Sequence, residues 1–207
     1  MPRTTLSSLS RLLLRVAPVA MLVAMSVIGS HAQTFTSLAS FNRTDGANPL
    51  YTYLAQGLDG NLYATASAGG ANNDGDVFRI TTAGALTDIY DFCSIAGCTD
   101  GTVPSGGLLL SPSGYFYGTT LSGGASNSGT VFKLSPSHVL TTLHNFDGTD
   151  GSTIYFGIMQ ATNGNFYGYG SGGGTYGIGT IFEITPAGVF TLLHTSLARM
   201  EDIQTEC

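Results

Sequence analysis

Tryptophan is absent, Lys133 is the sole lysine, and charged residues make up only 10% of the 207 residues. A typical soluble domain carries about 25%, so this surface is wetted chiefly by Ser, Thr, Asn, Gly and Tyr. Basic residues are scarce as a class, with 7 Lys and Arg against 13 Asp and Glu and a formal net charge of −6. That balance excludes the positive footprint of a nucleic-acid binder and disfavours an anionic membrane as partner. No window offers a helix, because every apolar run after the leading residues is short and bounded by Gly, Asn, Asp, Ser or Pro. Disorder is excluded as well: Leu, Ile, Val, Phe and Tyr recur at regular spacing, a feature that disordered composition lacks.

The leading residues have the order of an export signal. Arg3, Arg11 and Arg15 form a basic start, Val16 to Ile28 an apolar stretch, and Ser30-His31-Ala32 a small-residue cleavage site. A membrane-spanning helix needs about 20 apolar residues, and Arg15 interrupts this run while Ser26, Gly29 and His31 close it. No cysteine stands near the cleavage point to receive a lipid. Residues 1–32 are therefore expected to be a signal peptide, and the protein to be secreted, extracellular or at the cell surface, with the periplasm as a further compartment. Without the leader, four basic residues, Arg43, Arg79, Lys133 and Arg199, face the 13 acidic ones, a balance of −9.

Residues 33–195 read as one domain of tandem repeats. Asp59-Gly60-Asn61-Leu62-Tyr63, Ser113-Gly114-Tyr115-Phe116-Tyr117 and Asn163-Gly164-Asn165-Phe166-Tyr167 align with one another. Gly75-Asp76-Val77-Phe78, Gly129-Thr130-Val131-Phe132 and Gly179-Thr180-Ile181-Phe182 follow at constant spacing. A third signal, Leu86-Thr87-Asp88-Ile89-Tyr90-Asp91-Phe92, recurs at Leu140 to Phe146 and Phe190 to His194, and once ahead of the first unit as Phe35 to Phe41. Each unit thus predicts four short strands, over about 47–92, 104–146 and 154–195, with a leading strand at 35–41 and a divergent tail at 196–207. Asp59-Gly60 and Asn163-Gly164 supply the left-handed-tolerant pairs that tight hairpin turns demand. The expected fold class is all-β, a β-propeller-like array of tandem four-stranded repeats, with three units making a partial or incomplete propeller.

Leu108 to Leu110, Gly114 to Thr120, Gly123-Gly124, Gly129 to Leu134 and Leu143 to Phe146 resemble the GloVer-type extracellular tandem-repeat family of bacterial secreted proteins. The resemblance spans Phe35 to Thr195 and implies an exported, propeller-like protein of unassigned biochemical role, often attached to the surface through a separate C-terminal signal. Ala64 and Tyr169 depart from the family's usual glycine and threonine, and the chain has no recognisable terminal anchor.

Chemistry is harder to place. Asp45, Asp100 and Asp150 recur in Thr-Asp-Gly turns, with Asp147 beside the last. They are the candidate calcium ligands, although Asp in such turns ordinarily bonds its own backbone; no other cofactor is expected. Cys93 and Cys98 are expected to close a small disulfide loop, whereas two Cys without a nearby His are too few for a metal. Cys207 is left over, free or bonded to another molecule. Tyr63, Tyr117 and Tyr167 are the candidate ligand-binding residues, and His144 and His194 share a packing position. No Ser-His-Asp or HExxH arrangement appears. The expected function is therefore a non-enzymatic extracellular binding or scaffold module, more a non-enzyme than an enzyme. Its partners would be a glycan, an extracellular protein or a second copy met through exposed sheet faces, without nucleic acid or stable membrane insertion. The alternative is a secreted carbohydrate-active enzyme, a glycoside hydrolase or lyase using Asp or Glu.

Overall fold

Alternating side chains stopped by turn residues give twelve strands in the computed structural model, which describes residues 35–197. The expected leader 1–32 and Cys207 lie outside the described residues. The first unit contains β1 (Ala55–Gln56), β2 (Leu62–Ala66), β3 (Asp76–Ile80) and β4 (Leu86–Asp91). The second contains β5 (Thr102–Leu110), β6 (Phe116–Ser122), β7 (Thr130–Leu134) and β8 (Leu140–Asn145). The third contains β9 (Met159–Gln160), β10 (Phe166–Gly170), β11 (Thr180–Ile184) and β12 (Phe190–Thr195). Each set pairs in chain order as an antiparallel meander, giving three four-stranded sheets.

The fourth strand of every unit is bulged against the third at one place, opposite the step from Val77 to Phe78, from Val131 to Phe132 and from Ile181 to Phe182. In the first sheet Ile89 is the extra residue, since Val77 faces Tyr90 while Phe78 faces Asp88. Asp88 and Asp91 therefore stand on one face although they are three residues apart, an odd spacing that an unbroken strand would split between its faces.

The sheets are joined by side chains. Tyr63, Val77 and Phe92 of the first unit bury themselves against Leu108, Phe116, Phe132 and Leu134 of the second. Tyr117, Val131 and Phe146 repeat this against Ile158, Phe166, Phe182 and Ile184 of the third. One edge-to-face contact recurs at each step: Phe41 on Phe78 at 5.0 Å, Phe92 on Phe132 at 5.2 Å and Phe146 on Phe182 at 5.2 Å. Full burial of such a side chain stabilises by about 1.5–3 kcal/mol. The leading segment thus covers the first sheet through Phe41. Among the described residues the third sheet's outer face has no such cover: Ile181 is 47% exposed where Val77 and Val131 are 0%.

The expected β-propeller-like arrangement, partial or incomplete, is corrected by this topology. Three separate four-stranded sheets are present, none closed or curled into a ring. Three units create only two sheet-to-sheet interfaces, and neither end of the stack turns back upon the other by strand pairing.

Candidate functional site

The Asp turns are local structures. Asp45 accepts the Asn42 N–H at 2.8 Å, and Asp147 accepts the N–H and hydroxyl of Thr149 at 2.8 and 2.7 Å. Those bonds from Thr149 hold the Asp147 carboxyl below its ordinary range. Asp150 accepts the Asp147 N–H at 2.9 Å and pairs with His144 Nε2 at 2.8 Å. Buried Asp100 accepts from the Ser94 N–H at 2.9 Å and the Tyr90 hydroxyl at 2.8 Å. Burial, opposed by the Ser94 bond and aided by Asp100, pushes Tyr90 up to about 12. Each carboxylate serves its own turn, and the structure does not gather Asp45, Asp100, Asp147 and Asp150 into one oxygen cage.

The repeated tyrosines divide. Tyr63 and Tyr117 are buried against Phe116 and Phe166, with ring centroids 4.6 and 4.1 Å apart. Among the described residues no following sheet covers Tyr167, which is half-buried at the rim of a cavity, its hydroxyl accepting from Asn163 at 2.9 Å. That cavity, about 800 Å³, is lined by the third unit together with Tyr51 and Tyr53 from the segment before β1.

A different site was not anticipated from the sequence. Asp76 and Asp91 face one another directly across β3 and β4, and Asp88 shares their face. Asp76 is fully buried and both its oxygens lack a hydrogen-bond partner. Gly46 makes room for it: a side chain there would meet Asp76 Oδ2 at 2.7 Å. Burial, then the charges of Asp88, Asp91 and Asp45, push the Asp76 carboxyl up to about 8. Burial, then the charge of Asp91 and a hydrogen bond with it, push Asp88 up to about 6. The equivalents of Asp76, Asp88 and Asp91 are Thr130, Thr142 and Asn145 in the second unit, and Thr180, Leu192 and Thr195 in the third. Thr130 there meets Thr120 through its hydroxyl at 2.9 Å. Lining up the three units at these positions exposes the substitution; reading each strand only for apolar alternation hides it.

The carboxylates are not needed to build the loop above them. Asp91 Oδ1 accepts the Ala71 N–H, and Asn145 Oδ1 and Thr195 Oγ1 accept the equivalent N–H groups of Ala125 and Thr175, each at 3.0 Å. Any short side-chain oxygen serves. What the first unit adds is titratable chemistry: Asp88 and Asp91 on one face of the sheet, with Asp76 buried opposite Asp91. Carboxyl groups sharing a face are what general acid–base catalysis by paired carboxyls uses.

Close by in sequence, Cys93 and Cys98 are joined by a disulfide around the short 3-10 turn Ala96–Cys98. Asp74, Cys93 and Cys98 each place a ligand atom within 4.8 Å of the others. The sulfurs are thiolate ligands only once the disulfide is reduced. This grouping differs from a calcium site, which takes oxygen ligands. Among the described residues no helix is long and apolar enough to cross a membrane.

Among solved structures the chain is similar to a selenomethionine-substituted virginiamycin B lyase from Staphylococcus aureus, at 12% identity and a TM-score of 0.45, covering 71% of this chain and 42% of that one. It is also similar to a protein named a “putative gluconolactonase”, at 13% identity and a TM-score of 0.47, covering 69% of this chain and 48% of that one. The chain thus spans less than half the length of either. No curated protein matches it in sequence. The expectation of a non-enzymatic module is corrected by the clustering of Asp74, Cys93 and Cys98, a grouping compatible with a catalytic or metal site. Residues 25–204 match the model of the Gloeobacter/Verrucomicrobia repeat, and the chain belongs to that tandem-repeat family.

Proposed function

We propose that this protein is an exported carbohydrate-active enzyme, a glycoside hydrolase or lyase, whose acid–base pair is Asp88 and Asp91, with Asp76 buried beside them. The observation that carries this reading is the replacement of three neutral positions by Asp76, Asp88 and Asp91 on one face of the first sheet alone. Asp88 shares a face with Asp91, and burial together with the Asp91 charge lets it retain its proton up to about pH 6. In glycoside cleavage Asp88 would give that proton to the leaving oxygen while Asp91 takes one from water or from the sugar ring. Asp76, neutral up to about pH 8, adds no charge to the pair in the acidic range.

A net charge of −6 favours a neutral substrate over a polyanion. Export is supported by the order of basic, apolar and small residues in 1–32 and by the Cys93–Cys98 disulfide, which persists in oxidising compartments. The test is a screen of the purified chain on glucans, xylans and mannans, following new reducing ends for hydrolysis and ultraviolet absorbance of unsaturated ends for elimination. Turnover should fall as pH rises through about 6, and Asp88→Asn and Asp91→Asn should each lower it by about 10²–10⁴-fold. Turnover unaltered in both folded variants, or saturable binding with no product, would contradict the proposal.

A further inference from the structure

The cavity on the third unit is built by a departure from the repeat. Tyr51 lies in the segment before β1, yet its ring packs edge-on to Tyr155 and Phe156 of the third unit, at 5.9 and 5.8 Å. Its backbone has φ +54°, a region that aromatic residues seldom occupy and that persists only where surrounding structure enforces it. Neighbouring Gly106 and Gly157 touch backbone to backbone, so closely that a side chain on Gly106 would collide with Gly157. Phe156 and Tyr169 lie nearly parallel, 25° apart with centroids at 5.9 Å. The result is a concavity of about 800 Å³, within the size range of small-molecule sites.

Its lining defines the ligand. Among the described residues no Asp, Glu, Lys, Arg or His borders it, so a charged ligand would be desolvated without a partner there. The aromatic residues Tyr51, Phe156 and Tyr169 line it together with the hydroxyl-bearing Tyr53 and Tyr167. A neutral molecule with apolar faces and a hydroxylated edge satisfies both, and a pyranose ring has that form. We infer that this cavity is a binding site for neutral oligosaccharide, formed by the segment before β1 together with the third unit and separate from the carboxyl groups of the first sheet. Its sugar class rests on the function proposed above, whereas its existence does not depend on turnover.

Cellohexaose and maltohexaose, with trigalacturonate as the charged comparison, are the probes. The chain has no tryptophan and four of its ten tyrosines line the cavity, so binding is followed by the change in tyrosine emission and by calorimetry. Saturable binding of one neutral probe is expected, weakened by about tenfold in Tyr169→Ala and in Tyr51→Ala. Tyr169 is 45% exposed, so its removal leaves the fold intact; Tyr169→Phe, which keeps the ring, should retain most of the affinity. Asp88→Asn should bind as the unaltered chain does, which separates failure of this site from failure of the catalytic reading. Absence of binding to either neutral probe, equal or tighter binding of trigalacturonate, affinity unmoved by Tyr169→Ala, or a dimer in sedimentation that buries Tyr169 would each overturn the inference.

Discussion

The first two sheets share a packing plan and differ in three polar positions. Phe41 on Phe78 and Phe92 on Phe132 are the same contact one unit apart. On that same face, however, the first sheet holds Asp76, Asp88 and Asp91 where the second holds Thr130, Thr142 and Asn145. Because the second sheet forms with neutral side chains there, the acids are not required by the fold. A buried carboxyl without a hydrogen-bond partner, such as Asp76, destabilises a sheet, so its presence is a cost that packing elsewhere offsets.

The comparison breaks most severely if the shared part is removed. Phe132→Ala should cost about 3–5 kcal/mol in urea unfolding, since its ring is fully buried between the first and second sheets. Phe41→Ala should cost less, because Phe41 is only half-buried. Equal losses would show that the leading segment is as deeply built in as the strands.

Exchanging the distinctive part sharpens it. The Asp76 carboxyl lies at about 8 in the folded chain, above its ordinary 3.8, so the folded state holds a proton that the unfolded state releases. Stability from this group is complete below about pH 4 and is lost as pH rises through about 8. Asp76→Thr should therefore stabilise by about 1–3 kcal/mol at pH 8, much less at pH 4, and flatten the pH dependence of unfolding. Thr130→Asp should introduce the same liability in the second sheet, with the opposite sign. Parallel pH profiles for the parent and Asp76→Thr would refute the account of Asp76.

Smaller effects mark the edges of the first unit. Breaking the Cys93–Cys98 disulfide should cost about 2 kcal/mol by the loop-entropy estimate for so short a loop, measured as a lower midpoint in reductant. Tyr63→Phe removes one hydrogen bond, from its hydroxyl to Asp59 at 2.9 Å, and should cost about 0.5–1.5 kcal/mol. Tyr167→Phe, whose hydroxyl only receives an exposed Asn163 bond, should cost less still.

The strands within the three units were legible because alternation and turn chemistry are local, whereas the leading strand expected at 35–41 forms no strand. Asp59-Gly60 and Asn163-Gly164 mark their hairpins, and Gly60 and Gly164 do adopt φ +81° and +85°. The run around Tyr53 to Ala55 was less so: only Ala55–Gln56 pairs, since Tyr53 is drawn away to the cavity. How the sheets associate was not legible, because it depends on what covers the third sheet, and Ile181 looks like Val77 and Val131 in sequence. The carboxyl groups escaped notice for another reason. Asp88 and Asp91 lie at a spacing that strand periodicity assigns to opposite faces, and only the bulge at Ile89 reverses that assignment.

That bulge works as a phase shifter. One inserted residue returns the end of β4 to the side on which it began, so whatever occupies the last position looks back at the first residue of β3. The same shift operates in all three units, where it sets Asn145 opposite Thr130 and Thr195 opposite Thr180. The fold therefore offers three equivalent sockets of paired, inward-looking side chains, each open to different chemistry by substitution alone. Loss of Ile89 would leave the strand long enough to pair yet swing Asp91 to the opposite side, parting it from Asp76.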